Sequence, residues 1–251
     1  MLFRSWAQAS GGGTGTNHVF YHCKSYSNGG DGWDSAGASG GPVLIACEAS
    51  ANSGIGARGT GSPPSIRQCY IHDNTANGFL STSGAINADQ CLVEANGATG
   101  LTCGATVTVV VIGSTIDGNT GATSDGIGQT GTTSLRTPST RITNNILSNN
   151  GRYGASFTSS TPAAFDVDYN DYYGNATAAR NNVPTGPNDQ AVDPGFTDRA
   201  GGNFAIGTAL KALGYPGLFP GGLSTGYLDI GAVQRQEAAC GGRPELRGAT
   251  L

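Results

Sequence analysis

The chain of 251 residues is long enough for one large domain or two small ones, and its composition narrows the class. It is 37% hydrophobic and 12% charged with 42 glycines, a mixture that separates it from disordered low-complexity chains. The net charge of −4 comes without any Lys/Arg run, so the electrostatic signature of nucleic-acid binding is missing. Apolar runs such as 109–112 are far shorter than the roughly 20 residues of a membrane helix. We therefore expect no nucleic-acid partner and no membrane insertion.

A repeat extends over most of the chain. Seven asparagines stand 24, 22, 22, 23, 31 and 25 residues apart, and five residues before each lies a Cys, Ser or Asn. The asparagines are Asn28, Asn52, Asn74, Asn96, Asn119, Asn150 and Asn175, and the earlier residues are Cys23, Cys47, Cys69, Cys91, Ser114, Asn145 and Asn170. A period of this length is typical of a solenoid in which each repeat forms one coil.

Apolar residues recur at two fixed offsets from the Cys-equivalent position. Three residues before it stand Phe20, Leu44, Ile66, Ala88, Val111, Ile142 and Val167, and two residues after it stand Ser25, Ala49, Ile71, Val93, Ile116, Leu147 and Tyr172. Alternate residues of a strand point the same way, so two short inward-facing strands separated by a bend produce this spacing. A third strand is predicted after the Asn turn, opening with Gly and a bulky residue, at Gly32-Trp33, Gly54-Ile55, Gly78-Phe79, Gly100-Leu101, Gly126-Ile127 and the weaker Gly154-Ala155.

Three parallel strands per coil, stacked about 4.8 Å apart, would bury a continuous core that no coil could bury alone. The sequence therefore predicts an all-β fold, a single-stranded right-handed parallel β-helix with three strands per coil, about seven coils and an irregular C-terminal cap. This pattern resembles the pectate-lyase-like superfamily over roughly residues 17–180.

The repeated Cys and Asn positions, and the three histidines, are interpreted as structural or surface residues. The cysteines lie one coil apart without a CxxC pair, which does not match the closely spaced ligands of zinc sites. A file of small buried side chains is favoured, although a Cα spacing near 5 Å leaves disulfides between adjacent coils open. The asparagines are expected to adopt the left-handed backbone at a bend and to bond to a neighbouring amide. The histidines, His18, His22 and His72, are expected to be solvent-exposed.

The segment 23–34, CKSYSNGGDGWD, is the most specific stretch of the chain. It resembles a calcium-binding motif of the β-helical pectate lyases of polysaccharide lyase family 9, in which Cys-x-Ser-Tyr leads through Asn to Asp-Asp-Gly-Trp-Asp. The resemblance implies that Asp31 and Asp34 are Ca²⁺ ligands, while Gly30 stands where the family has another Asp. Such an ion would neutralise a uronate carboxylate and so acidify the neighbouring C–H for β-elimination.

The same resemblance implies a catalytic base. In the family this base is a lysine just after the Gly-aromatic pair of the following coil, and with Gly54-Ile55 as that pair, Gly56 holds the place of the lysine. Arg58 shares the outward face two residues further on and is the candidate base, although an arginine holds its proton more tightly than a lysine. A further calcium carboxylate would belong to an upstream coil that this chain is expected to lack. The alternative is that Asp31 and Asp34 only end a turn.

The outward positions of the third strands carry mostly small or hydroxylated residues. They are Asp34, Arg58, Leu80, Thr82, Thr102, Gly104, Gly128, Ser156 and Thr158. Such a strip suits a sugar-binding face and equally a solvated strand, and Thr82 and Thr102 are the candidate substrate-binding residues. The step of 31 residues after Asn119 predicts extra residues within 128–139 that protrude as a loop beside this face.

Both ends of the chain depart from the repeat. Residues 2–6 look like the strand end of a preceding coil, and no apolar core of adequate length precedes Ala-Gln-Ala at 7–9, so we expect no signal peptide and a chain that could be a fragment. Whether Met1 is the native start is left open. The segments after Asn175 resemble the closing part of many secreted bacterial β-helix proteins. We expect a β-helix at 1–180, a capping segment at 181–237 that covers the strand edges of the last coil, and a disordered tail at 238–251.

Two functions are compatible with these patterns. The first is a secreted or cell-surface protein that engages an acidic polysaccharide through Asp31, Asp34 and Arg58, as an active or degenerate Ca²⁺-dependent uronate lyase. The alternative is a non-catalytic structural or adhesive solenoid, such as a phage-fibre module, whose hydroxyl-rich face binds glycans or partner chains. The motif favours the first, and the glycines at 30 and 56 favour the second. The oligomeric state and the particular polysaccharide are left open.

Overall fold

The computed structural model describes residues 19–35, 43–59, 65–82, 85–104, 108–129, 140–158, 165–216 and 228–234. The first strands are β1 (Val19–Tyr21), β2 (Lys24–Tyr26), β3 (Trp33–Ser35), β4 (Val43–Ile45), β5 (Glu48–Ser50), β6 (Ala57–Gly59), β7 (Ser65–Arg67), β8 (Tyr70–His72), β9 (Phe79–Ser81), β10 (Ile86–Asp89) and β11 (Leu92–Glu94). The later strands are β12 (Leu101–Cys103), β13 (Val109–Ile112), β14 (Thr115–Asp117), β15 (Ile127–Gln129), β16 (Thr140–Thr143), β17 (Ile146–Ser148), β18 (Tyr153–Ser156), β19 (Phe165–Asp168), β20 (Asp171–Tyr173) and β21 (Ala178–Asn181). A 3₁₀ turn, Thr208–Leu210, follows them.

The strands form three parallel sheets, and the chain passes through one strand of each sheet per coil. The first sheet contains β1, β4, β7, β10, β13, β16 and β19, the second contains β2, β5, β8, β11, β14, β17 and β20, and the third contains β3, β6, β9, β12, β15, β18 and β21. The predicted class, an all-β parallel β-helix with three strands per coil, is confirmed. Within the described ranges, none of the helical structure has the length and apolarity required to cross a membrane.

The register confirms both predicted apolar columns. In the first sheet Phe20 pairs with Leu44, and the column continues through Ile66 to Val167. In the second sheet the column begins at Ser25 and ends at Tyr172. Because each coil buries its side chains against the coils on either side, the core is continuous along the axis and its stability is spread over the coils.

The third column differs from the prediction in the second coil. Trp33 pairs with Ala57 and Ala57 with Phe79, so the Gly54-Ile55 pair is wrong and Gly56-Ala57 takes its place. The reason is the constant path from the Asn turn to the strand, since the inward residue follows its Asn by five positions here as in most coils. The prediction chose the Gly54-Ile55 pair because Ile55 is bulky. The constant spacing from the Asn turn instead puts the small Ala57 in the core column.

The Asn column is a continuous ladder of hydrogen bonds. Asn74 is typical, because its backbone N–H and its Nδ2 both donate to Oδ1 of Asn96, at 3.2 and 2.9 Å. The same two bonds join each asparagine to the next from Asn28 to Asn175. Nδ2 of Asn74 also donates to the Ala49 carbonyl of the preceding coil. The predicted bond to a neighbouring amide is confirmed, and it satisfies polar groups that would be costly to bury alone.

The left-handed backbone falls one residue earlier than predicted. Positive φ is found just before the ladder asparagines, at Ser27, Ala51, Asp73, Ala95, Gly118, Asn149 and Gly174, and the prediction that the ladder asparagines adopt it is wrong. A second series precedes the Cys-equivalent positions, at His22, Ala46, Gln68, Gln90, Gly113, Asn144 and Tyr169. The preceding residue turns the chain at the surface, which leaves the asparagine free to direct its side chain inward along the ladder.

A column of glycines lies against the Asn ladder. A Cβ added to Gly78 would stand 2.7 Å from the Gly100 carbonyl oxygen and 2.9 Å from Asn96 Nδ2. Contacts closer than 3 Å arise in the same way at the equivalent glycines, Gly32, Gly56, Gly100, Gly126 and Gly154. Glycine is therefore required here for the close approach of side-chain amides and backbone.

The Cys column lies buried at the bend between the first and second sheets. Its thiols donate to backbone carbonyls two residues earlier, at 3.3 to 3.4 Å. The described members, Cys23, Cys47, Cys69 and Cys91, form no disulfide. Burial raises the pKa of another interior thiol, Cys103, to about 12. The interpretation as a file of small buried side chains is confirmed, while Cys240 lies outside the described residues.

The C-terminal segment covers the end of the last coil. Asp189 accepts hydrogen bonds from the backbone N–H of Asn170 at 2.9 Å and from its Nδ2 at 3.2 Å, as the side chain of a further coil would. Gln190 forms a parallel bridge with Asp171, and Val183 packs against the core. An open strand edge is thereby paired within the chain.

The segment then runs back along the outer face of the second sheet. Ile206, Leu210 and Ile230 bury Ile146 in a second apolar cluster, and Arg199 pairs with the buried carboxylate of Asp117. The segment therefore packs beside earlier coils as well as over the last one. The domain limits at residues 180 and 237 stay predictions, and 1–18 and 235–251 lie outside the described residues.

Replacement of a ladder residue should weaken the whole solenoid. We expect Asn96→Ala to lower the free energy of unfolding by about 3 kcal/mol, because it leaves several buried N–H and C=O groups without partners. Thermal or urea unfolding followed by circular dichroism measures this loss. Asn87→Ala, at an exposed position of β10, is the matched control, and an equal loss in both variants would contradict a special role of the ladder.

A buried carboxyl group should make stability depend on pH. Burial raises the pKa of Asp171 from 3.8 to about 6, nearby Asp193 and Asp189 act in the same direction, and Oδ2 has no partner among the described residues. Because the unfolded chain ionises first as pH rises, the fold loses stability between about pH 4 and 6 and does not regain it above. We expect Asp171→Asn to stabilise the protein by up to about 3 kcal/mol at neutral pH and to change little near pH 4.

Unfolding curves of both proteins across this pH window test the expectation. Asp166→Asn is the control, because that carboxylate is 58% exposed. A gain for Asp171→Asn that is the same at both ends of the window would contradict the assigned role.

Candidate functional site

The three predicted site residues come together at the start of the third sheet. Asp34 on β3 pairs in register with Arg58 on β6, so their side chains leave the same face one coil apart. Asp31 lies in the turn that leads into β3. Its Oδ2 is 3.4 Å from Nη1 of Arg58, and the guanidinium is 36% exposed while the carboxylate is 17% exposed. The sequence prediction that these three residues share one site agrees with this placement.

Asp31 also has a structural task. Its Oδ1 accepts the backbone N–H of Ile55, the equivalent residue of the next coil, at 2.8 Å. The contact of Oδ2 with Arg58 is longer than an ordinary charge-assisted hydrogen bond. The Nε atom of Arg58 is buried and has no partner among the described residues. The donors that a second anion could use are therefore those of the terminal Nη atoms, since the side chain is partly exposed.

A second aspartate makes the same backbone contact four coils further along, but its arginine partner precedes the third strand of its coil and does not lie on it. Asp125 occupies the position of Asp31 in its own coil and accepts the backbone N–H of Tyr153 at 3.2 Å. Its carboxylate, 3% exposed, binds Nε and Nη2 of Arg152 at 2.9 and 2.6 Å. The sequence analysis did not single out this pair. A comparison of the residues immediately before the column glycines would have revealed it, because both aspartates occupy that position.

The corrected register changes the place of Arg58. Because the pair of the second coil is Gly56-Ala57, Arg58 comes directly after it, on the strand next to Asp34. The expectation that Gly56 follows the pair of this coil is therefore wrong, because Gly56 belongs to the pair and Arg58 follows it.

The described residues supply only part of a calcium site. Ca²⁺ takes six to eight oxygen ligands, whereas Asp31 and Asp34 provide at most four, of which Asp31 Oδ1 already accepts an amide and Oδ2 faces a guanidinium. Among the described residues, no group of three or more His, Cys, Asp or Glu side chains is arranged to hold a metal ion. This donor set does not fit Ca²⁺ without further ligands, so no chemical step is assigned to the ion.

The two candidate substrate-binding threonines differ in access. Thr82 follows β9 and is exposed. Thr102 has the outward register position on β12 but is only 3% exposed, and its Oγ1 has no partner among the described residues. Three of the extra residues of the fifth coil lie in the turn before Ile127, eight positions after Asn119, and part of the predicted loop at 128–139 lies outside the described residues.

The model of the right handed beta helix region matches residues 7–135, which is 129 of the 251 residues and so just over half of the chain. The chain belongs to the right-handed β-helix family. No curated protein and no solved structure matches it. The coils of this β-helix protein continue beyond the matched range, because the three sheets extend to Asn181 with the same parallel register. The pectate-lyase-like β-helix fold expected from the sequence is thus supported.

This β-helix protein carries a second polar group on the outer face of the second sheet. The Tyr70 and His72 rings stack at 3.9 Å, and the Tyr70 hydroxyl donates to Glu94 at 2.7 Å. The His72 side chain is only 17% exposed, so the expectation of a solvent-exposed His72 is wrong. Burial raises the pKa of Glu94, whereas Lys24 lowers that of Glu48 against the effect of burial. Tyr70 and Glu48 stand one residue after a Cys-equivalent position, and His72 and Glu94 stand three residues after one. These shared offsets would have identified the group in the sequence.

The paired aspartates of the β-helix protein allow a stability comparison. We expect Asp125→Ala to lower the free energy of unfolding by about 2 kcal/mol, because it removes two charge-assisted hydrogen bonds of the partly exposed Arg152 and the acceptor of the Tyr153 backbone N–H. Asp31→Ala should cost about 1 kcal/mol, since its ion pair is longer and more exposed. Urea unfolding of the two variants measures the difference, and a larger loss for Asp31→Ala would contradict this ranking.

Proposed function

We propose that this protein binds an acidic polysaccharide outside the cell, and that Arg58 contacts a uronate carboxylate. The observation that carries the proposal is the state of the Arg58 side chain, which is partly exposed and has a long contact with Asp31 in place of a short paired one. A guanidinium presents its donors in a planar fork that matches a carboxylate. Secretion or attachment to the cell surface is part of the proposal, by resemblance to secreted β-helix proteins.

The charges around Arg58 favour selective binding over general attraction of anions. Asp31 and Asp34 outnumber the single guanidinium, and the chain has a net charge of −4. A polyanion would therefore be held by local contacts and not by a basic surface. Exposed Thr82, on the same side of the third sheet, offers a hydroxyl for sugar hydroxyls.

Elimination from the bound uronate is a second candidate activity. It is favoured by the corrected register, which places Arg58 directly after Gly56-Ala57, where the family 9 pectate lyases have their basic lysine. On this proposal Arg58, after losing its own proton to solvent, takes the proton from the carbon next to the carboxylate. The electron pair of that C–H bond forms a double bond to the neighbouring ring carbon, and the glycosidic oxygen leaves that carbon and takes a proton from solvent. Ca²⁺ is retained as a proposed cofactor through the resemblance of Asp31 and Asp34, with its remaining ligands unassigned. A purely structural or adhesive solenoid predicts binding without turnover.

Incubation with polygalacturonate separates these functions. We expect the protein to bind the polymer in affinity electrophoresis, and Arg58→Gln to weaken binding about tenfold through the loss of a charge-assisted contact. Arg67→Gln, on the first sheet and 61% exposed, is the matched control that loses the same charge elsewhere. Equal binding by the Arg58 and Arg67 variants would contradict the site, and no binding by the wild-type protein would contradict the function.

The same mixtures, with and without Ca²⁺, report on elimination. Turnover would appear as ultraviolet absorbance from an unsaturated uronide, and both Asp34→Ala and Arg58→Gln should abolish it. Absence of the absorbance at every alkaline pH, with binding retained, would dispose of the elimination candidate and leave a binding protein.

A further inference from the structure

A line of residues runs along one edge of the third sheet, and all of its members except the buried Asp125 are partly exposed. It consists of the residues immediately before the column glycines, which we call the turn file: Asp31, Ile55, Asn77, Thr99, Asp125 and Tyr153. Each glycine donates its backbone N–H to the carbonyl of the turn-file residue one coil further on, for example Gly56 to Asn77 and Gly78 to Thr99, both at 3.0 to 3.1 Å. The members are therefore stacked at the strand spacing, and the file is parallel to the axis of the β-helix.

Two guanidinium groups stand beside this turn file. Arg58 is bound to Asp31 in the first coil, and Arg152 is bound to Asp125 four coils later. Arg58 lies on β6 and Arg152 directly before β18, and these two strands are four strand spacings apart, about 19 Å along the axis. Arg152 directs two of its five N–H donors at Asp125, and its side chain is 38% exposed. Both groups thus combine a fixed position with donors that remain available.

The second anchor also has an aromatic neighbour. The guanidinium carbon of Arg152 lies 5.2 Å from the centroid of the Tyr153 ring, which is itself partly exposed. A ring and a guanidinium side by side suit a sugar that carries a carboxylate, because the ring can pack on the apolar face of the sugar while the donors bind the charge.

The burial of Thr102 restricts where a long ligand can lie. Its outward position is in the middle of β12, between the two anchors, and only 3% of it is exposed. Asn77 and Thr99, two residues before β9 and β12, are partly exposed instead. A ligand that reaches both arginines therefore follows the turn file along the edge of the sheet, and not the middle of the strands.

We propose that the turn file binds an extended acidic polysaccharide parallel to the axis, with Arg58 and Arg152 as two carboxylate anchors separated by about 19 Å along the axis. This inference rests on the proposed function, which it extends with a second anchor, a ligand direction and a minimum ligand length. Occupation of two anchors by one chain makes the second contact intramolecular, so affinity rises sharply once the ligand spans both.

Calorimetric titration with galacturonate oligomers at low ionic strength tests the inference. The probes are digalacturonate, which is too short to reach both arginines, and a long oligogalacturonate that spans them. For the wild-type protein we expect the long oligomer to bind at least about tenfold more tightly than the dimer. Either Arg58→Gln or Arg152→Gln should reduce this ratio to near one, whereas Arg67→Gln should preserve it.

Arg152→Gln leaves Asp125 without its ion pair, so Arg152→Lys, which keeps the charge but not the paired donors, is measured beside it. If only the lysine variant folds, it should still show a reduced length dependence. The second anchor would be overturned if affinity did not depend on oligomer length, or if the Arg152 and Arg67 variants had equal ratios of long-oligomer to dimer affinity. Either result would leave binding through Arg58 intact. Absence of binding by every probe would overturn the proposed function together with this inference.

Discussion

The hydrogen bond from one asparagine side chain to the next holds the geometry on which the rest of the molecule depends. A side-chain amide that both donates and accepts along one axis fixes the spacing of successive coils at that bend. It also occupies the space in which any side chain on the facing column would lie, so Gly78 and its equivalents must be glycine. The third strands then begin at a set distance from the ladder, which fixes the residues that face the core and those that face outward.

The charged residues of the candidate site are built into this same framework. Asp31 and Asp125 each accept a backbone N–H of the next coil, where the turn-file position would otherwise leave that donor unpaired. Each aspartate then pairs with an arginine of the next coil. The pair of the more buried Asp125 is shorter than that of Asp31. A structural role and a binding role are therefore compatible in one side chain. In Asp31 one oxygen accepts the backbone N–H and the other contacts the arginine, whereas in Asp125 Oδ1 accepts both the backbone N–H and Nε of Arg152, and Oδ2 accepts Nη2.

The C-terminal segment determines which face of the solenoid is available. It covers part of the second sheet, where Ile146 and Asp117 are fully buried, and it supplies Asp189 to complete a hydrogen-bonded column at the last coil. A linear array has neighbour contacts only, so its end must be satisfied by some other part of the chain. Arg58 and Arg152 lie on or beside the third sheet, which the Asn turn separates from the second sheet. The residues of the turn file there are mostly half-exposed.

The sequence by itself determined the coil, because Asn and Cys-equivalent residues at a constant separation of five can only recur in this way if each repeat follows the same path. It also determined both apolar columns, whose members stand at fixed offsets from those residues. Only the tertiary structure decided the register of the second coil, where the bulk of Ile55 masked the constant distance from Asn52 to Ala57. Only the structure brought Arg152 to Asp125 and joined them to the line that begins at Asp31, because side-chain pairing between coils depends on rotamers and burial that a repeat pattern does not encode.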